Sequence, residues 1–184
     1  MPLFTSSQEK RLWLYALAVL IAIFSTLALG RPLQEMLRDQ NTQAVFFLIA
    51  MILIGTTITV HGLKARPSKT ELVIWFGLAA VYIMFVFRLG APERSHLMEY
   101  SVLAIFIHKA LIERTKHENQ VTKPALLAFV ATVIIGVLDE CIQIFLPDRV
   151  FDPQDMLFNG LAALTAIGVS MLLKWARKKF RKNN

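Results

Sequence analysis

Long apolar runs, separated by short charged or Pro- and Gly-containing stretches, recur along nearly the whole sequence. Hydrophobic residues make up 55% of the 184 residues, and the mean hydropathy is +0.53. Soluble domains rarely carry so much apolar sequence because water must be able to solvate their surface. Runs of this length are typical of helices that cross a lipid bilayer. We therefore expect an all-α, polytopic membrane helical bundle.

The apolar runs predict about six transmembrane helices in a single membrane domain, residues 1–184. The predicted spans are residues 12–29, 44–60, 72–87, 97–112, 125–146 and 156–173. At 1.5 Å per residue, sixteen to eighteen residues cover about 24 to 27 Å, slightly less than a hydrocarbon core of roughly 30 Å. The third and fourth spans are therefore expected to extend past their apolar limits. The first run lacks a convincing signal-peptide cleavage site, so we interpret it as a retained helix.

The distribution of basic residues predicts the orientation of the bundle. In an alternating six-helix arrangement, every lysine falls on one side of the membrane, together with the basic residues near the C-terminus. The other side carries only arginine, at Arg31, Arg38, Arg88, Arg94 and Arg149. The positive-inside rule assigns the lysine-rich side to the cytoplasm. Both termini are therefore predicted to be cytoplasmic.

The net charge and the cysteine content exclude several classes of protein. The formal net charge of +7 is explained by cytoplasmic anchoring, which leaves no separate basic domain for nucleic acid. The single cysteine, Cys141, excludes an intrachain disulfide. The sequence motifs of P-loop proteins, serine hydrolases and zinc proteases are absent. Six helices could form a complete bundle without a second chain, so the sequence predicts no particular oligomeric state.

Polar residues are concentrated at the predicted outer ends of the fourth, fifth and sixth spans. They are His96 and Glu99 in the fourth span, Asp139, Glu140 and Gln143 in the fifth, Arg149 in the following loop, and Asp155 and Asn159 in the sixth. His96 and Glu99 are three positions apart and share one helix face. The same holds for two pairs that are close to one turn apart, Asp139 with Gln143 and Asp155 with Asn159. The three outer helix ends are therefore expected to bring their polar residues together.

The acidic residues in this group allow two interpretations. An ionised carboxylate at membrane depth costs several kcal/mol unless it is paired, hydrated or protonated. The acids could line an outward-facing polar cavity together with His96 and Arg149. Alternatively, they could pair with Arg88, Arg94 and Arg149 and fasten the helices together. Intramembrane ionisable residues are functional by default, which favours the cavity.

Three short motifs in the second half of the chain resemble those of the VanZ-like family. The motifs are His96-Leu97-Met98-Glu99-Tyr100, Asp139-Glu140-Cys141-Ile142-Gln143, and Arg149, Asp155 and Asn159 at the family's spacing. Together they define a motif region of about residues 96–168. The family is named after an accessory protein of glycopeptide-resistance clusters. The resemblance implies a multi-pass protein of the bacterial inner membrane with a role in the cell envelope, linked to teicoplanin resistance.

Two positions depart from the family pattern. Asp152 stands where Ser or another small residue is common, and Ala162 replaces a frequent Gly. The first departure changes the charge of the predicted site. The second is expected to affect only helix packing.

The first candidate function is an enzyme or binding protein that acts on an envelope lipid or a cell-wall precursor. The candidate catalytic residues are Glu99, Asp139 and Glu140, and the candidate ligand-binding residues are His96, Gln143, Arg149, Asp155 and Asn159. Glu99 or Asp139 could act as a general base, and Arg149 could orient an anionic headgroup. The remaining acids could hold a divalent cation such as Mg²⁺.

Two further functions compete with the first. A proton-coupled transporter could use the carboxylates to exchange protons, but neither an internal repeat nor a broken helix pair is visible in the sequence. A structural or partner-organising membrane protein could use the polar cluster only to lock the outer ends of three helices.

Overall fold

The computed structural model describes most of the chain as α-helix. The described residues are 4–28, 39, 41–42, 44–45, 48–49, 52, 69–88, 91–117, 122–146 and 151–180. They form five helices: α1 (Ser7–Ala28), α2 (Lys69–Arg88), α3 (Ala91–His117), α4 (Pro124–Gln143) and α5 (Pro153–Phe180). No β-strand occurs in this part of the chain. The all-α prediction is therefore confirmed for the described residues.

The five helices correspond to the first, third, fourth, fifth and sixth predicted spans. The second predicted span, 44–60, lies largely outside the described residues. α3 is 27 residues long and extends beyond the predicted 97–112 at both ends, as its short apolar run led us to expect. α4 ends at Gln143, three residues before the predicted end at Leu146. The shorter helix is explained by Pro147, because a proline disfavours helical geometry at the residue before it.

Three of the described helices are long and apolar enough to cross a membrane. They are Ser7–Leu27, Pro124–Gln143 and Pro153–Lys179. A shorter apolar segment, Leu72–Val81, lies within α2. The length and composition of these helices indicate a membrane protein.

α4 has a buried face that is more polar than its exposed face. The buried residues follow one helical stripe: Ala128, Thr132, Gly136, Asp139, Glu140 and Gln143. Large apolar residues such as Leu126, Ile134 and Leu138 are exposed. An amphipathic helix in water would have the opposite arrangement, with its apolar face buried. The reversed pattern is what a helix surrounded by lipid requires.

α3 is the central helix of the described bundle. It packs against α1, α4 and α5, while α4 and α2 also contact α5. Its buried apolar side chains recur at helical spacing: Leu97, Tyr100, Leu103, Ala104 and Ile107. The helices around it contribute mainly small residues to the same core, among them Ala16, Ala128, Ala162 and Ala163. Small side chains let helix backbones approach closely, which is the usual basis of helix association in lipid.

α4 and α5 approach each other closely at Gly136. A Cβ atom added there would lie 2.9 Å from Cβ of Asn159 and 3.1 Å from its Nδ2. Real Cβ atoms do not tolerate such a contact, and the nearest atom belongs to the rigid base of the asparagine side chain. Gly136 is therefore required for the spacing of the two helices.

The first prediction concerns this contact. We expect Gly136→Ala to lower the free energy of unfolding by about 1 to 3 kcal/mol, because α4 and α5 must separate to relieve the overlap. Thermal unfolding of the detergent-purified protein measures the effect. Gly168→Ala is the matched control, since a Cβ at Gly168 of α5 meets no atom within 4 Å. Equal stability of the two variants would contradict the assigned contact.

Candidate functional site

Three helix ends meet on one side of the bundle. The second and third turns of α3 lie there together with the first turn of α5 and the last turns of α4. They bring His96 and Tyr100 of α3 close to Asp139 and Glu140 of α4 and to Asp155 of α5. The polar residues of these three helix ends were expected to come together. Four of the expected side chains do so, and Tyr100 joins them.

Asp139 is connected to α3 through Tyr100. The Tyr100 hydroxyl donates a hydrogen bond of 2.9 Å to Oδ2 of Asp139, and both side chains are buried. A tyrosine hydroxyl is a strong donor to a carboxylate when water is excluded from the pair. Tyr100 thus fixes the orientation of the Asp139 carboxylate.

Glu140 is connected in the other direction, to the start of α5. Its Oε1 accepts a hydrogen bond of 2.9 Å from Nε2 of Gln143, and its Oε2 accepts one of 3.3 Å from the backbone N–H of Asp152. The Glu140 side chain is fully buried. Gln143, which was predicted to bind the ligand, therefore orients Glu140.

Asp152 begins α5 as its N-cap residue. Its Oδ1 accepts a hydrogen bond of 2.8 Å from the backbone N–H of Gln154, and Pro153 occupies the first helical position. Asp and Ser are both strong N-cap residues. The departure from the family's small residue at this position therefore preserves the cap while adding a charge.

His96 lies at the accessible side of the cluster. Its Nε2 is 3.6 Å from Oδ2 of Asp155, which makes an ion pair when the imidazole is protonated. The two side chains are 15% and 18% exposed. The His96 ring also stacks on Tyr100, with 6.1 Å between ring centroids. The site is thus reached past His96 and Asp155, with Asp139 and Glu140 behind them.

One ligand atom from each of His96, Asp139 and Glu140 lies within 4.8 Å of the other two. An imidazole and two carboxylates are a donor set that can hold a divalent cation. This set is the only group of three or more such side chains found among the described residues.

Asn159 lies one helical turn beyond Asp155 on α5. Its side chain is 1% exposed, and within the described part of the chain neither its Nδ2 nor its Oδ1 has a hydrogen-bond partner. A buried amide without partners costs about 1 to 3 kcal/mol. Nδ1 of His96 is likewise buried and makes no hydrogen bond to any described residue.

Glu99 and Arg149 are the remaining predicted site residues. Glu99 is half-buried on α3, three residues after His96, and is not one of the three clustered ligands. Arg149 lies outside the described residues, as do the side chains of Arg88 and Arg94. The arginine pairing considered as an alternative therefore concerns side chains that lie outside the described structure.

A second polar cluster lies at the opposite end of α3. Glu9 is fully buried and accepts hydrogen bonds from Thr5, at 2.7 Å, and from Nε1 of Trp13, at 3.2 Å. Its Oε1 also lies 3.7 Å from Nη1 of Arg114. This cluster connects α1 to the far end of α3 and was not expected from the sequence.

Both unexpected residues, Tyr100 and Glu9, have a signal in the sequence. Tyr100 follows His96 by four residues and so shares its helix face. Glu9 is the third residue after Ser6, whose Oγ accepts the Glu9 backbone N–H at 3.0 Å. Ser and Glu at this spacing are typical of a helix N-terminus.

The sequence matches the family model described as VanZ/LLP1 over residues 12–174, which is most of the chain. No curated protein and no solved structure gives a significant match. The matched range includes most of α1 and extends well beyond the motif region of about 96–168. The chain belongs to the VanZ/LLP1 family.

Proposed function

We propose that this chain is a six-span protein of the bacterial inner membrane, with both termini in the cytoplasm. The basic residues in the last turns of α3 and α5 support this orientation, since Arg114, Lys116, Arg177, Lys178 and Lys179 lie at the ends opposite His96 and Asp155. α5 has 28 residues, which gives a length of about 42 Å at 1.5 Å per residue. This length would carry its basic end beyond the hydrocarbon core on the cytoplasmic side.

The second prediction tests the orientation. In a Cys141→Ala background, we expect Gln154→Cys to react with a membrane-impermeant maleimide in intact spheroplasts. Lys178→Cys should react only after lysis. Both positions are exposed, so accessibility reports the side of the membrane rather than burial. The reverse labelling pattern would contradict the orientation.

The outer-side cluster is proposed to bind or modify an envelope lipid or a cell-wall precursor. The supporting observation is that the cluster has a partly exposed side and a buried side. His96 and Asp155 are partly exposed. Asp139 and Glu140 are buried, and hydrogen bonds from Tyr100, Gln143 and Asp152 hold them. Carboxylates fixed by hydrogen bonds beside a partly exposed imidazole form a preorganised polar site. A headgroup at the membrane surface could enter such a site while its acyl chains stay in lipid.

In this proposal, Glu99, Asp139 and Glu140 carry the catalytic or proton-accepting role. His96, Gln143, Arg149, Asp155 and Asn159 bind the ligand or orient the carboxylates. A link to teicoplanin resistance follows from the family and is part of the proposal. Such a link to resistance would arise if the ligand is a cell-wall precursor or a lipid that carries a cell-wall precursor.

The third prediction tests the site in cells. We expect Asp139→Asn, Glu99→Gln and Arg149→Ala to accumulate in the membrane but to fail to complement a deletion strain. Growth of the complemented strain in the presence of teicoplanin and other envelope-directed compounds is the readout, with membrane accumulation measured by immunoblot. Glu113→Gln is the matched control, because Glu113 is a buried carboxylate at the opposite end of α3. Full complementation by all three site variants would show that the site is not needed.

A structural function is the second candidate, and the contacts of Glu140 favour it. Glu140 connects α4 to the first residue before α5, and Asp139 connects α4 to α3. Removing one partner of a buried charged contact destabilises a fold because the other partner is left unsatisfied. A purely structural cluster would therefore lose stability in every variant, in parallel with its cellular activity.

The fourth prediction separates the two candidates. We expect Tyr100→Phe to lower the free energy of unfolding by only about 1 kcal/mol, the scale of hydrogen bonds measured inside membrane proteins. It should nevertheless impair complementation, because Asp139 loses the group that orients it. Tyr15→Phe is the control, since Tyr15 is exposed on α1. Loss of membrane accumulation that matches the loss of complementation would favour the structural function.

A further inference from the structure

The donor set at the junction of α3 and α4 fits a bound cation more closely than a simple acidic cluster would. One ligand atom from each of His96, Asp139 and Glu140 lies within 4.8 Å of the others. Around a tetrahedral ion with bond lengths near 2.1 Å, neighbouring ligand atoms are about 3.4 Å apart. The ligand atoms would therefore have to approach one another by at most about 1.4 Å to surround such an ion.

The ligands are held by further contacts of the kind that orient metal ligands. Tyr100 donates to one oxygen of Asp139, and Gln143 donates to one oxygen of Glu140. Asp155 approaches Nε2 of His96 at 3.6 Å. Outer contacts of this type fix the orientation and the basicity of ligating side chains.

Asn159 provides an independent indication of a polar ligand. Its amide is 1% exposed, and both polar atoms have no hydrogen-bond partner among the described residues. The Asn159 side chain lies against Gly136, one helical turn before Glu140 on α4. Side chains of a helix tilt toward its N-terminus, which is the end of α5 that carries Asp155. Gly136, opposite it, offers no side chain that could satisfy it. A metal-bound water or substrate oxygen at this place would supply the missing partner.

Charge favours occupancy by a dication. Asp139 and Glu140 are adjacent, buried carboxylates, and an ion of charge +2 would offset their mutual repulsion at this depth. A neutral imidazole completes the set without adding charge. Asp155, whose Oδ2 lies 3.6 Å from Nε2 of His96, adds a further carboxylate beside the three ligands.

The imidazole determines the class of metal. Mg²⁺ prefers a shell of oxygen ligands and retains its waters, whereas Zn²⁺ and Mn²⁺ accept mixed imidazole and carboxylate ligands. We propose that His96, Asp139 and Glu140 bind a divalent transition-metal cation of the Zn²⁺ or Mn²⁺ type, in place of the Mg²⁺ considered from the sequence. This inference rests on the proposed outer-side site and gives it a Lewis acid that could polarise a phosphoryl or carbonyl oxygen of the ligand.

The fifth prediction concerns metal binding by the full-length protein in detergent. After removal of metals with a chelator, titration with Zn²⁺ or Mn²⁺ should show one site per chain by calorimetry and should raise the thermal unfolding temperature. We expect His96→Gln, Asp139→Asn and Glu140→Gln each to weaken binding at least about 100-fold, because each removes a direct ligand. Mg²⁺ should bind far more weakly than either metal.

His108→Gln and Glu113→Gln are the matched controls. Both residues are buried on α3 at the end away from His96, so these variants should bind metal like the unmodified chain. If Asp139→Asn or Glu140→Gln fails to fold, His96→Gln carries the test, since its side chain is partly exposed. Metal binding that is unchanged in His96→Gln would overturn the proposal, as would the lack of any saturable binding of Zn²⁺ and Mn²⁺ or a preference for Mg²⁺.

The two proposals fail in different ways. If the site variants lose complementation but the protein binds no metal, the proposed function stands and the metal inference is wrong. If metal binds at the three ligands but the variants complement fully, the metal site stands and the proposed function is wrong.

Discussion

Two consecutive buried carboxylates at the end of α4 constrain the arrangement of three helices. Neighbouring residues of a helix point in directions about 100° apart, and Asp139 and Glu140 bond to different neighbours. Asp139 accepts a hydrogen bond from Tyr100 of α3, and Glu140 accepts one from the backbone of Asp152 before α5. These two bonds place the end of α4 beside α3 and beside the start of α5. In the same arrangement, Oδ2 of Asp155 lies 3.6 Å from Nε2 of His96.

Below this junction, the helices are held by close packing of small residues. Gly136 lies directly against Asn159, and Ala128, Ala162 and Ala163 are fully buried. Lipid chains are as apolar as leucine, so burying large apolar side chains gains little free energy in a membrane. Close backbone approach provides van der Waals contact instead. Ala162, which replaces a glycine common in the family, keeps such a position and accepts a 3.4 Å hydrogen bond from Ser101 through its carbonyl.

Hydropathy predicted the described helices, whereas the rotation of each helix about its axis could not be predicted from it. Leu97 is 0% exposed and Leu138 is 51% exposed, although both are leucines in apolar runs. In a membrane, lipid and protein core select the same residue types, so an apolar pattern does not tell which face is buried. The convergence of His96, Asp139 and Asp155 was predictable because polar residues do mark a face. Tyr100 belongs to the first of the three motifs, but its hydrogen bond to Asp139 depends on how α3 and α4 are rotated about their axes.

The helix starts were only partly predictable for a similar reason. Asp152 was noted for its charge, whereas the structure uses its side chain as the N-cap of α5 and its backbone N–H as a donor to Glu140. Glu9 was absent from the expected site because a single acid near Lys10 and Arg11 is ordinary at a helix end. Its importance comes from Arg114, more than one hundred residues later in the chain. Contacts of this kind depend on tertiary placement rather than on local sequence.

The contacts at both ends of α3 have a consequence for bilayers of different thickness. At one end Tyr100 and His96 face α4 and α5, and at the other Arg114 faces Glu9 of α1. Sliding α3 along its axis by one turn, about 5.4 Å, would break both sets of contacts at once. A thinner or thicker hydrocarbon layer must therefore be accommodated by tilting the bundle as a unit or by deforming the surrounding lipid. The acids of the cluster then keep their mutual geometry while their depth in the membrane changes.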